Sequence, residues 1–233
     1  MTLTRFDRWA PHYDDAALQP LFRAAHDRVL QESAGMVAAD RILDIGCGTG
    51  RLMDVAAHQY PGALVVGVDV SAAMLSVAVS GRPDRSSHRF VRAAAERLPF
   101  ADATFDLVLS TCSLRHWADP DAGVREIGRV LARGGVVALA DLFDSGPRTV
   151  IGSIAGRRPR VPPALQPCLA GANLTAINVV RAAGHGPIIE ITVVLATRPV
   201  GGAATCRSRL GLDEANADGV PGQFEPVAQA ELL

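Results

Sequence analysis

The stretch Leu43-Asp44-Ile45-Gly46-Cys47-Gly48-Thr49-Gly50 joins a short apolar run to three closely spaced glycines. The apolar run, Arg41 to Ile45, reads as a buried strand, and Gly50 to Gln59 reads as a helix. A strand that turns on glycines into a helix ends at the carboxyl edge of a sheet, where open α/β folds bind ligands. Glycine there removes the β-carbon, so the backbone approaches a ligand closely and takes positive φ where the turn needs it.

Outward from this turn, strands and helices alternate. Leu64 to Val68, His88 to Arg92, Phe105 to Ser110 and Val136 to Ala140 read as further strands. Ser71 suits the N-cap of the helix after the second strand. Asp119 and Pro120 open a helix running to Ala132, which Gly134-Gly135 ends. This order specifies an α/β, Rossmann-like, mostly parallel sheet with helices on both faces. Before the first strand, Arg5 to Ala34 is amphipathic and helical, with Leu18, Leu21, Phe22, Ala25, Val29 and Leu30 at helical spacing. It is expected as a lid over the site, or as a packing helix. Beyond Asp141, residues 142 to 172 read as an irregular insertion that includes Arg157-Arg158-Pro159-Arg160. A helix is expected from about Leu174 to Ala183 and a strand from Ile188 to Ala196. One domain over residues 1–198 and a poorly ordered tail over 199–233 complete the expectation.

The chemistry is legible in acidic residues at fixed distances from the glycines. Asp44 precedes them, and a carboxylate there suits a ligand with a cationic ammonium and sulfonium while repelling a pyrophosphate. A dinucleotide fingerprint needs its third glycine at position 51, which is Arg51. Asp69 ends the second strand about 20 residues past the turn, where a carboxylate accepts both hydroxyls of an adenosine ribose.

Four segments in order carry a family resemblance: Ile42 to Leu52, Val66 to Ser71, Glu96 to Phe100, and Phe105 to Ser110 with Arg129-Val130-Leu131 and Gly134-Gly135. They resemble the small-molecule class I S-adenosylmethionine-dependent methyltransferases, including the quinone-biosynthesis and natural-product groups. The resemblance implies S-adenosyl-L-methionine as cofactor. Asp44, Gly46, Cys47 and Gly48 would border its methionine half, and Asp69 its ribose. Val70 and Met74 would flank the adenine, with Ala95 and Glu96 on the other side. Ser110 would sit beside the methionine amino group, and Tyr13 would close over the cofactor. The family often has an acid where this chain has Ala94; the missing adenine hydrogen bond is worth about 1 kcal/mol. The family also closes its sheet with a hairpin, so seven strands are implied, or six if the second hairpin strand fails.

Methyl transfer from a sulfonium needs alignment, and a base only when the acceptor must lose a proton. His116, after the fourth strand, is the candidate base; its alternative is a loop residue packed on Trp117. His12 is a weaker candidate, Asp141 could orient a substrate or cap a loop, and Arg115 could pair with an acidic substrate. Net charge −1 over 233 residues argues against nucleic acid as partner, and no apolar run suits a membrane span. Four cysteines without metal spacing suggest no metal site and a reducing cytoplasm. The expected partner is a small-molecule acceptor. Two other readings stay open: a cofactor-binding partner or regulator without transferase activity, and a nicotinamide-dependent oxidoreductase.

Overall fold

The computed structural model describes residues 3–82, 87–141, 165–185 and 189–200. Seven strands form one sheet in the order β3-β2-β1-β4-β5-β7-β6. They are β1 Arg41–Ile45, β2 Leu64–Asp69, β3 His88–Arg92, β4 Phe105–Thr111, β5 Leu131–Asp141, β6 Thr175–His185 and β7 Ile189–Thr197. Neighbours from β3 to β5 pair in parallel, and β7 runs antiparallel to both β5 and β6. The order reverses between β1 and β4, and such a switch point opens a crevice at the carboxyl ends of the strands.

The helices are α1 Leu3–Trp9, α2 Gln19–Ser33, α3 Arg51–Gln59, α4 Ala72–Ser80, α5 Pro120–Val130 and α6 Leu165–Gly171. Alternation along the strands divides the core between two faces. Ile42, Val65 and Leu107 pack with Val29, Leu30, Leu52 and Leu75 on one face. Their neighbours Leu43, Val66 and Val108 pack with Val124, Ile127, Leu165 and Leu169 on the other. The caps form as expected: Ser71 accepts from the Met74 amide at 3.1 Å, and Asp119 from the Ala122 amide at 3.0 Å.

Four expectations need correction. The segment from about Leu174 to Ala183 is not a helix but most of β6, the edge strand that completes the seventh position of the sheet. Thr175, Ile177, Val179 and Val180 are β-branched, and pairing with β7 outweighs the helical spacing. The helix before β5 ends at Val130, and Gly134-Gly135 lies inside β5, not at a helix end. Arg198 holds that corner by donating to the Arg129 and Leu131 carbonyls. Residues 165–171, expected as irregular, form α6, whose Leu165 and Leu169 are buried. The N-terminal segment divides: α2 is a core helix, whereas α1 and the 3-10 turn Ala10–Asp15 reach the crevice. The Arg157-Arg158-Pro159-Arg160 motif and residues 201–233 lie outside the described residues.

Candidate active site

The glycine turn is built by three left-handed backbones, Gly46 at φ 73°, Gly48 at 53° and Gly50 at 81°. A β-carbon on Gly46 would lie 2.2 Å from Ser113 Oγ. That hydroxyl is already engaged, donating to the Ile45 carbonyl at 3.2 Å and accepting from Trp117 Nε1 at 2.9 Å. Gly46→Ala combines positive φ with this clash, so a loss of about 1–3 kcal/mol is expected. Scanning calorimetry should show the melting midpoint lowered by about 3–9 °C, and an unchanged midpoint would contradict the steric argument.

Asp69 braces the turn from β2. One carboxylate oxygen accepts the Gly48 amide at 2.9 Å and the other accepts the Ser71 amide at 2.8 Å. Each oxygen keeps a lone pair for a further donor. Burial raises its pKa, while the amides of Ser71 and Gly48 act against that rise. Asp44, in β1, is 1% exposed, and its Oδ2 has no hydrogen-bond partner. Burial first, and the Asp69 charge second, push the Asp44 carboxyl up to about 8.

A cavity of about 360 Å³ opens against this turn, within the range of small-ligand sites. Tyr13, Gly46, Gly48, Asp69, Val70 and Met74 line it, joined by Ala95, Glu96 and His116. A second cavity of about 30 Å³ shares Tyr13, Gly46 and Gly48 with the first and reaches inward to Asp44 and Cys47. Ser110 lines neither: it is 1% exposed and donates to the Ile45 carbonyl at 2.9 Å. Its β-strand position points it into the wall, whereas its neighbours Thr111 and Ser113 line the large cavity.

Phe6, Thr111, Cys112, Trp117 and Ala118 also line the large cavity and were not singled out in the sequence. Their common signal is position: four of the five lie at or just after the end of β4, on the ligand-bearing edge of the sheet. His116 meets Phe6 edge-on at 5.2 Å between ring centroids. Burial, and then the Arg115 charge, lower its pKa. Asp141 lines neither cavity; it accepts from the Arg115 amide at 3.2 Å, as a loop cap does, and forms an ion pair with that guanidinium. Arg115 is thereby committed within the protein. Glu96 lines the cavity and accepts the Asp119 amide at 3.1 Å. Tyr13 stands between the cavities, edge-on to Trp9 and stacked over Phe22, with its pKa raised to about 12, chiefly by burial.

The segment that builds this site, a glycine turn beside two acids at the carboxyl edge of a parallel sheet, falls within the region that matches known proteins. The methyltransferase domain family matches residues 43–139. A demethylmenaquinone methyltransferase of Thermus thermophilus is 34% identical over 154 residues, spanning 64% of this chain and 69% of its own. The chain belongs to the class I S-adenosylmethionine-dependent methyltransferases. The chain is also 37% identical over 149 residues to a malonyl-[acyl-carrier protein] O-methyltransferase of Dechloromonas aromatica, covering 62% of this chain and 50% of that one. Against several of its curated relatives it spans only about half of their length. In fold, the chain superposes on a SAM-dependent methyltransferase from Aquifex aeolicus with a TM-score of 0.63 at 18% identity, over 85% of this chain and 99% of that chain. The nicotinamide reading is thereby left without support. Among the described residues, no helix is long and apolar enough to cross a membrane.

Proposed function

We propose that this chain binds S-adenosyl-L-methionine in the paired cavities and transfers its methyl group to a small, uncharged acceptor. The observation that carries the reading is the buried Asp44 oxygen without a partner, beside a turn of three left-handed glycines. An ammonium group fits such an orphan carboxylate, and the small cavity of about 30 Å³ has room for a group of that size. When bound, the cofactor supplies an electrophilic methyl on a sulfonium for in-line displacement.

The residues of the chain then divide the work. Asp69 accepts the ribose hydroxyls through its free lone pairs. Val70 and Met74 hold one side of the adenine, and Ala95 and Glu96 border the other. Tyr13 and Phe6 cover the cavity and exclude water, so the acceptor is held against the methyl without competition from solvent. His116 takes a proton from the acceptor as it attacks. Its lowered pKa keeps the imidazole neutral at pH 7, the form able to accept a proton. Among the described residues near the cavity, Arg115 is taken up by Asp141, which favours an acceptor without a carboxylate. Cys47 and Cys112 are free thiols, in keeping with a reducing cytoplasm. The net charge of −1 is in keeping with an acceptor other than nucleic acid.

Calorimetric titration with S-adenosylhomocysteine tests the cofactor, and transfer of a labelled methyl to a panel of phenols, quinols and activated carbon acids tests the reaction. Micromolar binding with transfer to one class of acceptor is expected. Absence of binding would overturn the reading. His116→Gln should lower kcat by about a hundredfold while leaving S-adenosylhomocysteine affinity unchanged. Undiminished kcat in this variant would remove His116 from the mechanism.

A further inference from the structure

The glycine turn has a second support, on the side away from the large cavity. Arg82 follows the end of α4, and its side chain is only 12% exposed. Nη1 donates to the Thr49 carbonyl at 2.9 Å and to the Ala78 carbonyl at 2.7 Å. Nε and Nη2 donate to the two oxygens of Asp54 as a fork, a geometry that lysine cannot reproduce. Cζ lies 5.9 Å from the Phe90 ring centroid. A β-carbon on Gly50 would sit 2.9 Å from that same Cζ. The guanidinium therefore occupies the space that any side chain at position 50 would enter.

These contacts converge on three consecutive residues of the turn. The Gly48 amide is held by Asp69, and the Thr49 hydroxyl donates to Asp14 at 2.8 Å. The Thr49 carbonyl is held by Arg82, whose fork is anchored in the first turn of α3 through Asp54. Loss of Arg82 would free the Thr49 carbonyl and open space beside Gly50, leaving the turn gripped from one side only.

We propose that Arg82 is the positioning residue of the cofactor turn: it sets the Thr49-Gly50 backbone so that Gly46 and Gly48 keep the left-handed conformations that admit the cofactor. It acts through the turn and touches no ligand. The inference rests on the reading of the cavities as an S-adenosylmethionine site.

A tie between α3 and α4 with no bearing on the turn is the competing explanation, and Arg129 supplies the matched comparison. Arg129 makes an equally dense set of bonds, to Glu126, Asp102 and the carbonyls of Leu98 and Phe100, without touching the glycine turn. S-adenosylhomocysteine affinity and melting midpoint should be measured for the wild type, Arg82→Lys, Arg82→Ala and Arg129→Lys. Arg82→Lys is expected to bind about tenfold more weakly, and Arg82→Ala more weakly still. Arg129→Lys should lower the midpoint comparably yet bind within about twofold of wild type. In turnover, Arg82→Lys should raise the KM for S-adenosylmethionine and leave kcat and the acceptor KM unchanged. If Arg82→Ala fails to fold, Arg82→Lys carries the test. Wild-type affinity in folded Arg82→Lys, or an equal loss in Arg129→Lys, would overturn the inference while leaving the cofactor reading intact. A wild type that binds no S-adenosylhomocysteine would overturn both.

Discussion

Asp69→Ala is expected to weaken S-adenosylhomocysteine binding by about a hundredfold or more. Two charge-assisted hydrogen bonds to the ribose, each worth about 1.5–3 kcal/mol, together supply at least about 3 kcal/mol. At about 1.4 kcal/mol per tenfold, that is two orders of magnitude. The same substitution releases the Gly48 and Ser71 amides, so the turn loses its brace from β2 as well. A cofactor analogue lacking one ribose hydroxyl separates these effects. It should bind about tenfold more weakly than the parent to the wild type, and equally to the parent on Asp69→Ala. Affinity of Asp69→Ala within threefold of wild type would contradict the assignment of the ribose to this residue.

The second large effect is a pH dependence of cofactor affinity set by Asp44. With its carboxyl raised to about 8, Asp44 is mostly protonated in the free protein at pH 7. Its ionised form is the one that pairs with an ammonium, so binding at pH 7 should release close to one proton. Affinity should rise about tenfold per pH unit between 6 and 7 and level off above 8. Calorimetry in two buffers of different ionisation enthalpy reads the released proton directly. Asp44→Asn removes the titrating group, so its affinity should be at least about tenfold lower at pH 8 and insensitive to pH. The sign for stability is opposite. A carboxyl whose folded value lies above its ordinary 3.8 contributes stability that is complete below pH 3.8 and lost as pH rises through 8. The free protein should therefore lose stability from this group toward alkaline pH, and S-adenosylhomocysteine should offset that loss. A wild-type affinity that is flat between pH 6 and 8 would rule out Asp44 as the partner of the cation.

These two acids were legible because their meaning is local. Asp44 and Asp69 stand at fixed offsets from a glycine turn, and strand, turn and helix signals lie within a few residues of each other. Ser71 and Asp119 were readable as caps for the same reason: a capping side chain bonds an amide three residues ahead. Tyr13 and Ser110 show where locality fails. Both came from the family pattern, yet Tyr13 reaches the cavities while Ser110 faces the wall and bonds the Ile45 carbonyl, 65 residues away.

By itself, the sequence determined the alternation of β1 through β5 with their helices, the glycine turn and the acids beside it. Short-range patterning sets strand period, helix caps and positive-φ sites, and none of these needs a distant partner. The tertiary structure alone decided that Thr175 to His185 is an edge strand, because only pairing with β7 satisfies its backbone and outweighs its helical spacing. It alone left Asp44 Oδ2 buried without a partner, joined two cavities at Tyr13, and set the Arg82 guanidinium against Gly50. Each of these depends on where side chains from distant segments meet, which no residue's neighbours in sequence can specify.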